Sequence, residues 1–303
     1  MRLDGIHHVT CITADAPGNV DFYTRVLGLR LVKKSVNQDD PTVYHLFYAD
    51  EEGHAGSDIT FFEYPKAQPG QAGDGMIHRV VWRVGSPQAL DFWAERLNAE
   101  GHEVEAEGES LCFANPEGLQ HELVVSQVSD EPLVAQHPEI PPEVALQGFE
   151  GVRAYGRPDG EFLTKLGFEQ QDGRWDTRAD TRGGWIEYAE PPEAPGIGGA
   201  GTVHHAAWAS TMEDHQAWHD LVADAGGHPT EIIDRFWFRS IYFREPAGVL
   251  YEIATLGPGF ATDEDPAHLG EKLILPPAYE HLRDRVEPVL TPLPDPRADW
   301  AAR

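Results

Sequence analysis

The chain has 303 residues, of which 51 are acidic and 23 are basic, giving a formal net charge of −28 at pH 7. At roughly 100–200 residues per domain, this length predicts about two domains. Hydrophobic residues make up 41% of the chain, which excludes global disorder. The sequence has no run of about 18 uncharged apolar residues and no leader-like start, so we expect neither a membrane span nor secretion. We therefore predict a soluble, cytoplasmic protein.

The acidic residues are dispersed along the whole chain, and lysine is scarce. Five of the 23 basic residues are lysines, at positions 33, 34, 66, 165 and 272. Dispersed carboxylates with few lysines are typical of proteins from salt-loving cells, in which concentrated cations screen the self-repulsion. We therefore predict a halophilic protein. A nucleic-acid partner is not expected, because phosphate binding needs a basic surface.

In chain order, one pattern occurs four times. Each copy begins with a strand-like stretch, at 5–10, 76–81, 151–155 and 202–207. An amphipathic helix is predicted next, at 20–27, 88–100, 160–166 and 214–225. Each helix runs into a glycine suited to end it: Gly28, Gly101, Gly167 and Gly226. Further strand-like stretches close each copy, and the last of them carries a glutamate between apolar neighbours: Glu63, Glu122, Glu187 and Glu252.

This pattern predicts an α+β fold built from four βαβββ modules. Stretches rich in proline and glycine separate the modules, at 65–75, 129–142 and 191–201. We divide the chain into a first domain of two modules at 1–128 and a second domain of two modules at 147–256. Residues 257–303 are predicted to form an extended arm across the outside, with one short helix around 279–286.

Several stretches carry a resemblance to a known family. They are 5–10 (GIHHVT), 34–41 (KSVNQDDP), 44–48 (YHLFY), 234–246 (DRFWFRSIYFREP), 248–255 (GVLYEIAT) and 257–260 (GPGF). Together with the four modules, they resemble the vicinal oxygen chelate superfamily, which contains glyoxalases, extradiol dioxygenases, epimerases and antibiotic-resistance proteins. The resemblance is closer to the hydroquinone ring-cleaving dioxygenases. It implies two domains of curved mixed sheets, with the first and fourth modules paired around a metal.

Three residues are the predicted metal ligands. A mononuclear Fe(II) that activates oxygen is typically held by two histidines and one carboxylate on one face. The fourth module offers His205 in its first strand and Glu252 in its last strand. Since the third module has no histidine in its first strand, His8 is the natural third ligand, and the resemblance implies the same three residues.

The strand period decides between adjacent histidines, because alternate residues point to opposite faces. If His8 and His205 face the cavity, Thr10 and Ala207 face it too. The neighbouring His7 and His204 then point away, and they are expected to be packed and hydrogen-bonded, with a supporting role around the site as the alternative.

Two other groups compete for a metal. Glu63 could complete a four-ligand site of the glyoxalase or epimerase kind, suited to Lewis-acid polarisation and proton transfer. We expect Glu63 instead to be a solvent-facing strand residue. His78 and Glu122 mimic the fourth module, but only Glu187 could assist them. We interpret them as remnants of duplication, with a weak second metal site as the alternative.

The remaining site residues are assigned by resemblance. Ring cleavage needs a hydrogen-bond donor and a positive group near the open metal positions. We assign Tyr242 to a hydrogen bond with the metal-bound oxygen, Arg235 to the anionic substrate and Thr10 to a further polar contact. His45 and His228 are weaker acid–base candidates. Five aromatic residues are candidates for the wall of an aryl pocket: Trp82, Trp208, Phe236, Trp237 and Phe238.

The predicted function is an Fe(II)-dependent, extradiol-type dioxygenase that takes a hydroquinone-like aromatic diol and O₂, with Mn(II) able to replace iron. The preference for hydroquinone over catechol comes from the resemblance alone. The alternatives are a glyoxalase-type lyase or isomerase, and a non-catalytic protein that sequesters an aromatic drug or quinone. A P-loop of the GxxxxGK[ST] type and a nucleophile elbow of the GxSxG type are absent from the sequence, which leaves P-loop nucleotide chemistry and serine hydrolysis without support. The resemblance also leaves a homo-oligomer open.

Overall fold

A computed structural model of the protein describes residues 1–298 and 300. Within them, four consecutive segments each form a strand, a helix and three further strands, which confirms the predicted modules. The first module contains β1 (Ile6–Thr13), α1 (Ala16–Asp21), β2 (Arg30–Val36), β3 (Tyr44–Ala49) and β4 (Asp58–Glu63). The second contains β5 (Met76–Val84), α2 (Pro87–Ala99), β6 (Val104–Glu107), β7 (Ser110–Ala114) and β8 (Gln120–Val125). The third contains β9 (Phe149–Tyr155), α3 (Gly160–Lys165), β10 (Glu169–Gln171), β11 (Arg174–Arg178) and β12 (Gly183–Ala189). The fourth contains β13 (Val203–Ser210), α4 (His215–Asp224), β14 (Ile233–Asp234), β15 (Arg239–Arg244) and β16 (Leu250–Thr255).

The helices begin and end at local sequence signals. Helix α1 begins earlier than predicted, because the Asp15 side chain accepts a hydrogen bond from the Gly18 N–H at 3.1 Å. A π-helical turn at Phe22–Val26 continues it. The predicted glycines after the four helices have positive φ angles: 74° at Gly28, 83° at Gly101, 85° at Gly167 and 98° at Gly226. Glycine adopts this conformation without a steric penalty, so these positions end the helices as expected.

Each of the two sheets combines modules from opposite halves of the chain. In the described residues, the first sheet has the order β14-β15-β16-β13-β1-β4-β3-β2, and the second has the order β10-β11-β12-β9-β5-β8-β7-β6. Antiparallel pairing of β1 with β13 joins the first module to the fourth, as the resemblance implies. Pairing of β5 with β9 joins the second module to the third. The predicted domains 1–128 and 147–256 follow the order of the modules in the chain and stay a prediction. Each hydrogen-bonded sheet contains strands from both of these segments.

Strand β4 shows how the first sheet separates two environments. Ile59 and Phe61 are fully buried in the main apolar core. Their neighbours Asp58, Thr60 and Phe62 alternate with them and point to the other side of the sheet. We call this second side the inner face, since it carries the cavity described below.

The described residues from 257 to 298 form the predicted arm. Its middle part lies beside β2, where Leu273 pairs with Lys34 and the Ile274 N–H donates to the Lys34 carbonyl at 2.9 Å. The predicted helix around 279–286 is present as a 3₁₀ turn at Glu280–Leu282 followed by α5 (Arg283–Val286). The last residues of the arm, 299 and 301–303, lie outside the described residues. Among those that are described, no helix has the length and apolar character needed to cross a bilayer.

A buried histidine connects the two sheets. On the second sheet, Trp82 Nε1 donates to Nδ1 of His121 at 3.1 Å. The indole can only donate, so the His121 proton must lie on Nε2, which is 2.9 Å from the hydroxyl of Tyr23 in the first module. Burial lowers the pKa of His121 to about 3. A second proton on this ring would face the indole N–H, so the folded protein holds the ring neutral.

We predict that His121 makes the fold sensitive to acid. Its pKa is about 6.5 in the unfolded chain and about 3 when folded, so the unfolded state takes up the proton first as pH falls. This ring should therefore cost about 2 kcal/mol of folding stability between pH 7 and pH 5. Urea unfolding at several pH values should show that the free energy of unfolding falls less between pH 7 and pH 5 in His121→Gln than in the wild type. Tyr23→Phe keeps the histidine, so its free energy of unfolding should fall with pH as steeply as that of the wild type. An equal pH dependence for the wild type and His121→Gln would contradict the prediction.

Candidate metal centre

Four neighbouring strands of the first sheet present one row of side chains to the inner face. His8 on β1 pairs with Ala207 on β13, Ala207 pairs with Glu252 on β16, and Glu252 pairs with Tyr242 on β15. Paired residues of adjacent strands share a face, so all four point into the same space. The small Ala207 side chain leaves room between His8 and Glu252. His205 lies two residues before Ala207 and therefore projects from the same face.

Three potential ligand atoms converge above Ala207. The Nε2 atoms of His8 and His205 are 3.3 Å apart. The Oε2 atom of Glu252 is 3.1 Å from the His8 Nε2 and 2.9 Å from the His205 Nε2. These residues are buried, with exposed fractions of 2%, 4% and 0%. Among the described residues, this is the one cluster of three such groups close enough to hold a metal ion.

The three residues fit a divalent first-row metal. Although two imidazole nitrogens lie close to it, the buried Glu252 Oε2 accepts no hydrogen bond of acceptable geometry. Three converging acceptor atoms repel one another unless a cation lies between them. Ligand atoms about 2.1 Å from one ion and at right angles around it are about 3.0 Å apart, close to the separations found here. Two histidines and one carboxylate on one face are also the donor set of oxygen-activating iron.

Each of the three side chains is held by a further polar group. His7 Nδ1 lies 2.9 Å from His8 Nδ1, and His204 Nδ1 lies 2.8 Å from His205 Nδ1. With a proton on Nδ1, each inner ring leaves its Nε2 lone pair free for a metal. The hydroxyl of Ser240 donates to the second oxygen of Glu252. His7 and His204 thus point away from the cavity and are hydrogen-bonded, as predicted.

The electrostatics keep the carboxylate charged. Burial alone would raise the pKa of Glu252, but the neighbouring His8 and His205 hold it well below its ordinary value. Burial, together with the nearby charge of Glu252, raises the pKa of the Tyr242 hydroxyl well above its ordinary value. Before a ligand binds, the site therefore contains one anionic carboxylate and one neutral phenol.

A cavity that is open to solvent lies over the triad, and the predicted polar residues line it. Arg235 Nε donates to the Tyr242 hydroxyl at 3.3 Å. The same guanidinium forms an ion pair with Asp39 at 3.1 Å, from the loop that follows β2. This pair connects the fourth module to the first at the cavity, so Arg235 is oriented by both modules.

Thr10 belongs to a second polar group on the cavity wall. The Thr60 hydroxyl donates to the Thr10 hydroxyl at 2.9 Å and lies 2.9 Å from His45 Nε2. Burial, with the nearby His8, lowers the pKa of His45 well below its ordinary value, so this imidazole is neutral. The cavity therefore has a neutral imidazole, His45 on β3, at one side and the phenol of Tyr242 on β15 at the other, with β1 and β13 between them.

Two of the five aromatic wall candidates line the cavity. These are Trp237 and Phe238, from the turn between β14 and β15, and Phe47 and Phe62 of the first module join them. The other three candidates do not: Trp82 and Trp208 pack in the main core, and Phe236 lies at the edge of a smaller apolar cluster. Aromatic rings on several sides give the cavity the apolar lining that a flat aromatic ligand needs.

Glu63 is neither a ligand nor solvent-facing, so the expectation that it faces solvent is wrong. It is 2% exposed, and its Oε1 accepts a hydrogen bond from Thr291 of the arm at 2.7 Å. On β4 it alternates with Phe62, which places it on the face opposite the cavity. The four-ligand arrangement of a glyoxalase is therefore not formed.

In the second sheet, two arginines bind the glutamate of the second module. Arg153 contacts both oxygens of Glu122, at 2.7 and 3.1 Å, and Arg79 contacts it at 3.3 Å. The His78 ring stacks on Tyr155 with 4.0 Å between ring centroids. Guanidinium groups already neutralise Glu122, and His78 and Glu122 are not part of a metal-binding cluster among the described residues.

Sequence reasoning undervalued the cavity residue His45 and missed two buried residues beside the triad, Ser240 and Asp58. His45 was ranked low because nothing in β3 indicates which of its faces is inward. Ser240 gave no signal, since its role depends on pairing between β15 and β16. Asp58 pairs with His8 on the parallel neighbour β4, and both of its carboxyl oxygens are buried without a hydrogen-bond partner. Burial raises the pKa of Asp58 to about 8.

Comparison with known proteins agrees with this geometry. Residues 5–118 and 151–253 match the Glyoxalase/Bleomycin resistance protein/Dioxygenase superfamily. The chain is 38% identical to the "Putative ring-cleaving dioxygenase MhqA" of Bacillus subtilis (strain 168), over 97% of this chain and 100% of that relative. It is 33% identical to the "Chlorohydroquinone/hydroquinone 1,2-dioxygenase" of Sphingobium indicum, over 94% of this chain and 95% of that relative.

A solved structure extends the match to the fold. The crystal structure of a "putative dioxygenase" from Bacillus subtilis subsp. subtilis str. 168 superposes with a TM-score of 0.89 at 37% identity, covering 97% of this chain and 98% of that chain. Relatives that match along nearly their whole length are dioxygenases by name, so the chain is an oxygenase enzyme. It belongs to the Glyoxalase/Bleomycin resistance protein/Dioxygenase superfamily, the superfamily that its sequence resembles.

Proposed function

We propose that the protein is an Fe(II)-dependent, extradiol-type dioxygenase that opens the ring of a hydroquinone-like diol. The observation that carries the proposal is the buried triad of His8, His205 and Glu252 at the base of a cavity with aromatic walls. A bound Fe(II) would supply adjacent open positions at which the diol and O₂ meet. Mn(II) is the alternative metal, because this ligand set discriminates weakly between first-row ions. The relative in Sphingobium indicum that is named for chlorohydroquinone and hydroquinone supports the substrate class.

The protein side chains prepare the diol for cleavage. Phe47, Phe62 and Trp237 bind the faces and edges of the aromatic ring and exclude water from it. The Tyr242 hydroxyl, which accepts a hydrogen bond from Arg235, donates its own proton to an oxygen of the bound reactants. The Arg235 cation stabilises negative charge that develops on them.

Proton removal from the diol needs a neutral base within the cavity. His45 meets this requirement, since its ring is neutral and its Nε2–H donates to the Thr60 hydroxyl, which itself donates to Thr10, so the Nδ1 atom carries the free lone pair. We propose that His45 takes the proton of the second phenolic hydroxyl, the one on the far side of the ring from the metal ligands. Thr10, bonded to the same Thr60, orients this pair of groups.

We predict that the triad supplies the protein ligands of the metal. Dialysed wild-type protein should retain one Fe(II) or Co(II) per chain, whereas His205→Ala and Glu252→Gln should retain none, because two donors cannot hold the ion. Ser240→Ala should weaken the affinity by about 10–100-fold, since Ser240 orients Glu252. Metal content by elemental analysis and Co(II) titration measure both effects. His78→Ala and Glu122→Gln are the matched controls in the second sheet; loss of metal in these two variants instead would contradict the assignment.

We predict stoichiometric O₂ consumption with aromatic diols. The protein is reconstituted with Fe(II) without air, and oxygen uptake is then followed with hydroquinone, methylhydroquinone and catechol. A ring-opened product that contains both atoms of O₂ is expected, with the two para-diols cleaved faster than catechol. If a chain with one tightly bound metal consumes no oxygen with any diol, the dioxygenase proposal is wrong.

Substitutions at Tyr242 separate chemistry from metal binding in the same assay. Tyr242→Phe should lower kcat by about 100-fold, because it removes a positioned proton donor, and the metal content should stay at the wild-type level. Tyr188→Phe is the control, since the Tyr188 hydroxyl bonds to the Tyr251 hydroxyl away from the cavity and should leave kcat unchanged.

We also propose that the enzyme is halophilic. The net charge of −28 gives long-range repulsion between carboxylates that concentrated cations screen. Folding stability, measured as Tm, should therefore rise steadily as KCl increases from low to molar concentration, and activity should follow it. A Tm that is independent of KCl would contradict this proposal. The cytoplasmic location and a homo-oligomeric state stay predictions.

A further inference from the structure

A β-bulge in β2 turns Lys33 to the inner face. Leu31 pairs with Tyr48 and Lys33 pairs with Phe47 on β3, so Val32 is the extra residue of the bulge. Antiparallel partners share a face, and Phe47 lines the cavity, so Lys33 lies on the same side of the sheet. Without the bulge, alternation would put Lys33 beside Leu31, on the face of the main apolar core.

The Lys33 ammonium is completely buried and bound by three oxygens of the arm. It is 0% exposed. Its Nζ donates to the Phe260 carbonyl at 3.0 Å, to Asp263 Oδ1 at 2.8 Å and to the carboxylate of Glu264. An ammonium removed from water is stable only with such partners, and an apolar side chain would fill this space at lower cost. A buried lysine at this point therefore indicates a role beyond packing.

The same arm segment holds Trp237, which is 2% exposed. Both carboxylate oxygens of Asp263 accept from the indole Nε1, at 3.1 and 3.2 Å. The Gly259 N–H donates to the Trp237 carbonyl at 2.8 Å. The Lys33 Nζ also lies 5.2 Å from the centroid of the Trp237 ring, within the range of a cation–π interaction. Asp263 thus connects the lysine directly to the indole.

The arm packs closely against β2. The backbone of Gly270 lies so close that an added Cβ would fall 1.9 Å from the Leu31 carbonyl oxygen. The Arg30 guanidinium donates to the Leu269 carbonyl at 3.4 Å. The segment that binds Trp237 is consequently anchored to the sheet on which the metal ligands are built.

We propose that Lys33, acting through Asp263, holds Trp237 as a fixed wall of the substrate cavity and so determines how tightly an aromatic diol is bound. Trp237 lies in a short turn that also carries Arg235 and Phe238 to the cavity, so a shift of the indole would move neighbouring contacts. Lys33 is a positioning residue in this proposal, since it does not line the cavity itself. The identity of the ligand rests on the proposed function, whereas the contact between Lys33, Asp263 and Trp237 does not.

The first experiment tests this contact without a substrate. Near-ultraviolet circular dichroism is compared for the wild type, Lys33→Met and Lys34→Met, each with Trp237 and with Trp237→Phe. Lys33→Met should change the spectrum, and the change should vanish in the Trp237→Phe background. Lys34→Met is the matched control: Lys34 anchors the same arm through the Glu271 carbonyl at 3.2 Å but pairs with the core residue Leu46. An identical spectrum for Lys33→Met and the wild type would overturn the proposal.

The second experiment measures binding and turnover. Lys33→Met should raise the anaerobic dissociation constant and the KM for hydroquinone on the order of 10-fold, with kcat and metal content close to wild type. In a Trp237→Leu background, Lys33→Met should add little, because its effect passes through the indole. Additive effects, or equal losses in kcat, metal content and binding, would show a merely structural lysine and overturn the proposal.

Two further measurements cover the cases in which the variant does not fold or the wild type does not act on diols. If Lys33→Met does not fold, Asp263→Ala replaces it, because this variant removes the shared acceptor and leaves Glu264 to bind the ammonium. If the wild type neither binds nor oxidises any diol, the proposed function fails, and the circular dichroism experiment still decides whether Lys33 positions Trp237.

Discussion

The structure of the first sheet depends on one buried carboxylate. Glu252 is fully buried, and its Oε2 lies within 3.1 Å of two imidazole nitrogens without a hydrogen bond. Such an oxygen is stable when a cation lies among the three atoms. Meeting this requirement fixes the pairing of β1, β13 and β16, since a shift of one residue in any of them would turn His8, His205 or Glu252 to the other face.

The same constraint explains the arrangement around the triad. The position between His8 and Glu252 must be small, and Ala207 occupies it. The orientation of Glu252 must be fixed without blocking its inner oxygen, and Ser240 binds the outer one. A larger residue than Ala207 would fill the space that a metal needs. The contact between His8 on β1 and His205 on β13 joins residues that are 197 positions apart in sequence.

The modular fold could be predicted from the sequence because it depends on local signals, whereas the pairing of the first and fourth modules, which brings His8 to His205 and Glu252, was implied by the family resemblance alone. Strand period separates His8 from His7, and repetition places Glu252 near the end of its module. Alternation along β4 would also have put Glu63 on the face opposite the cavity, but the register of β4 relative to β1 was unknown. The β-bulge at Val32 could not be predicted, because nothing in the sequence of β2 indicates an extra residue opposite β3. Residues that depend on register between strands were therefore the ones that sequence reasoning could not place.

The second sheet neutralises its buried carboxylate with arginines and not with a metal site. Ile77-His78-Arg79-Val80 occupies the place in its module that Ile6-His7-His8-Val9 has in the first, so an arginine stands in the position of a ligand. Its carboxylate, Glu122, is bound by Arg79 and Arg153. A guanidinium carries its own positive charge and its own donors, so it satisfies a buried carboxylate without a metal. An arginine in place of a histidine thus supplies no ligand for an ion and at the same time neutralises the buried Glu122.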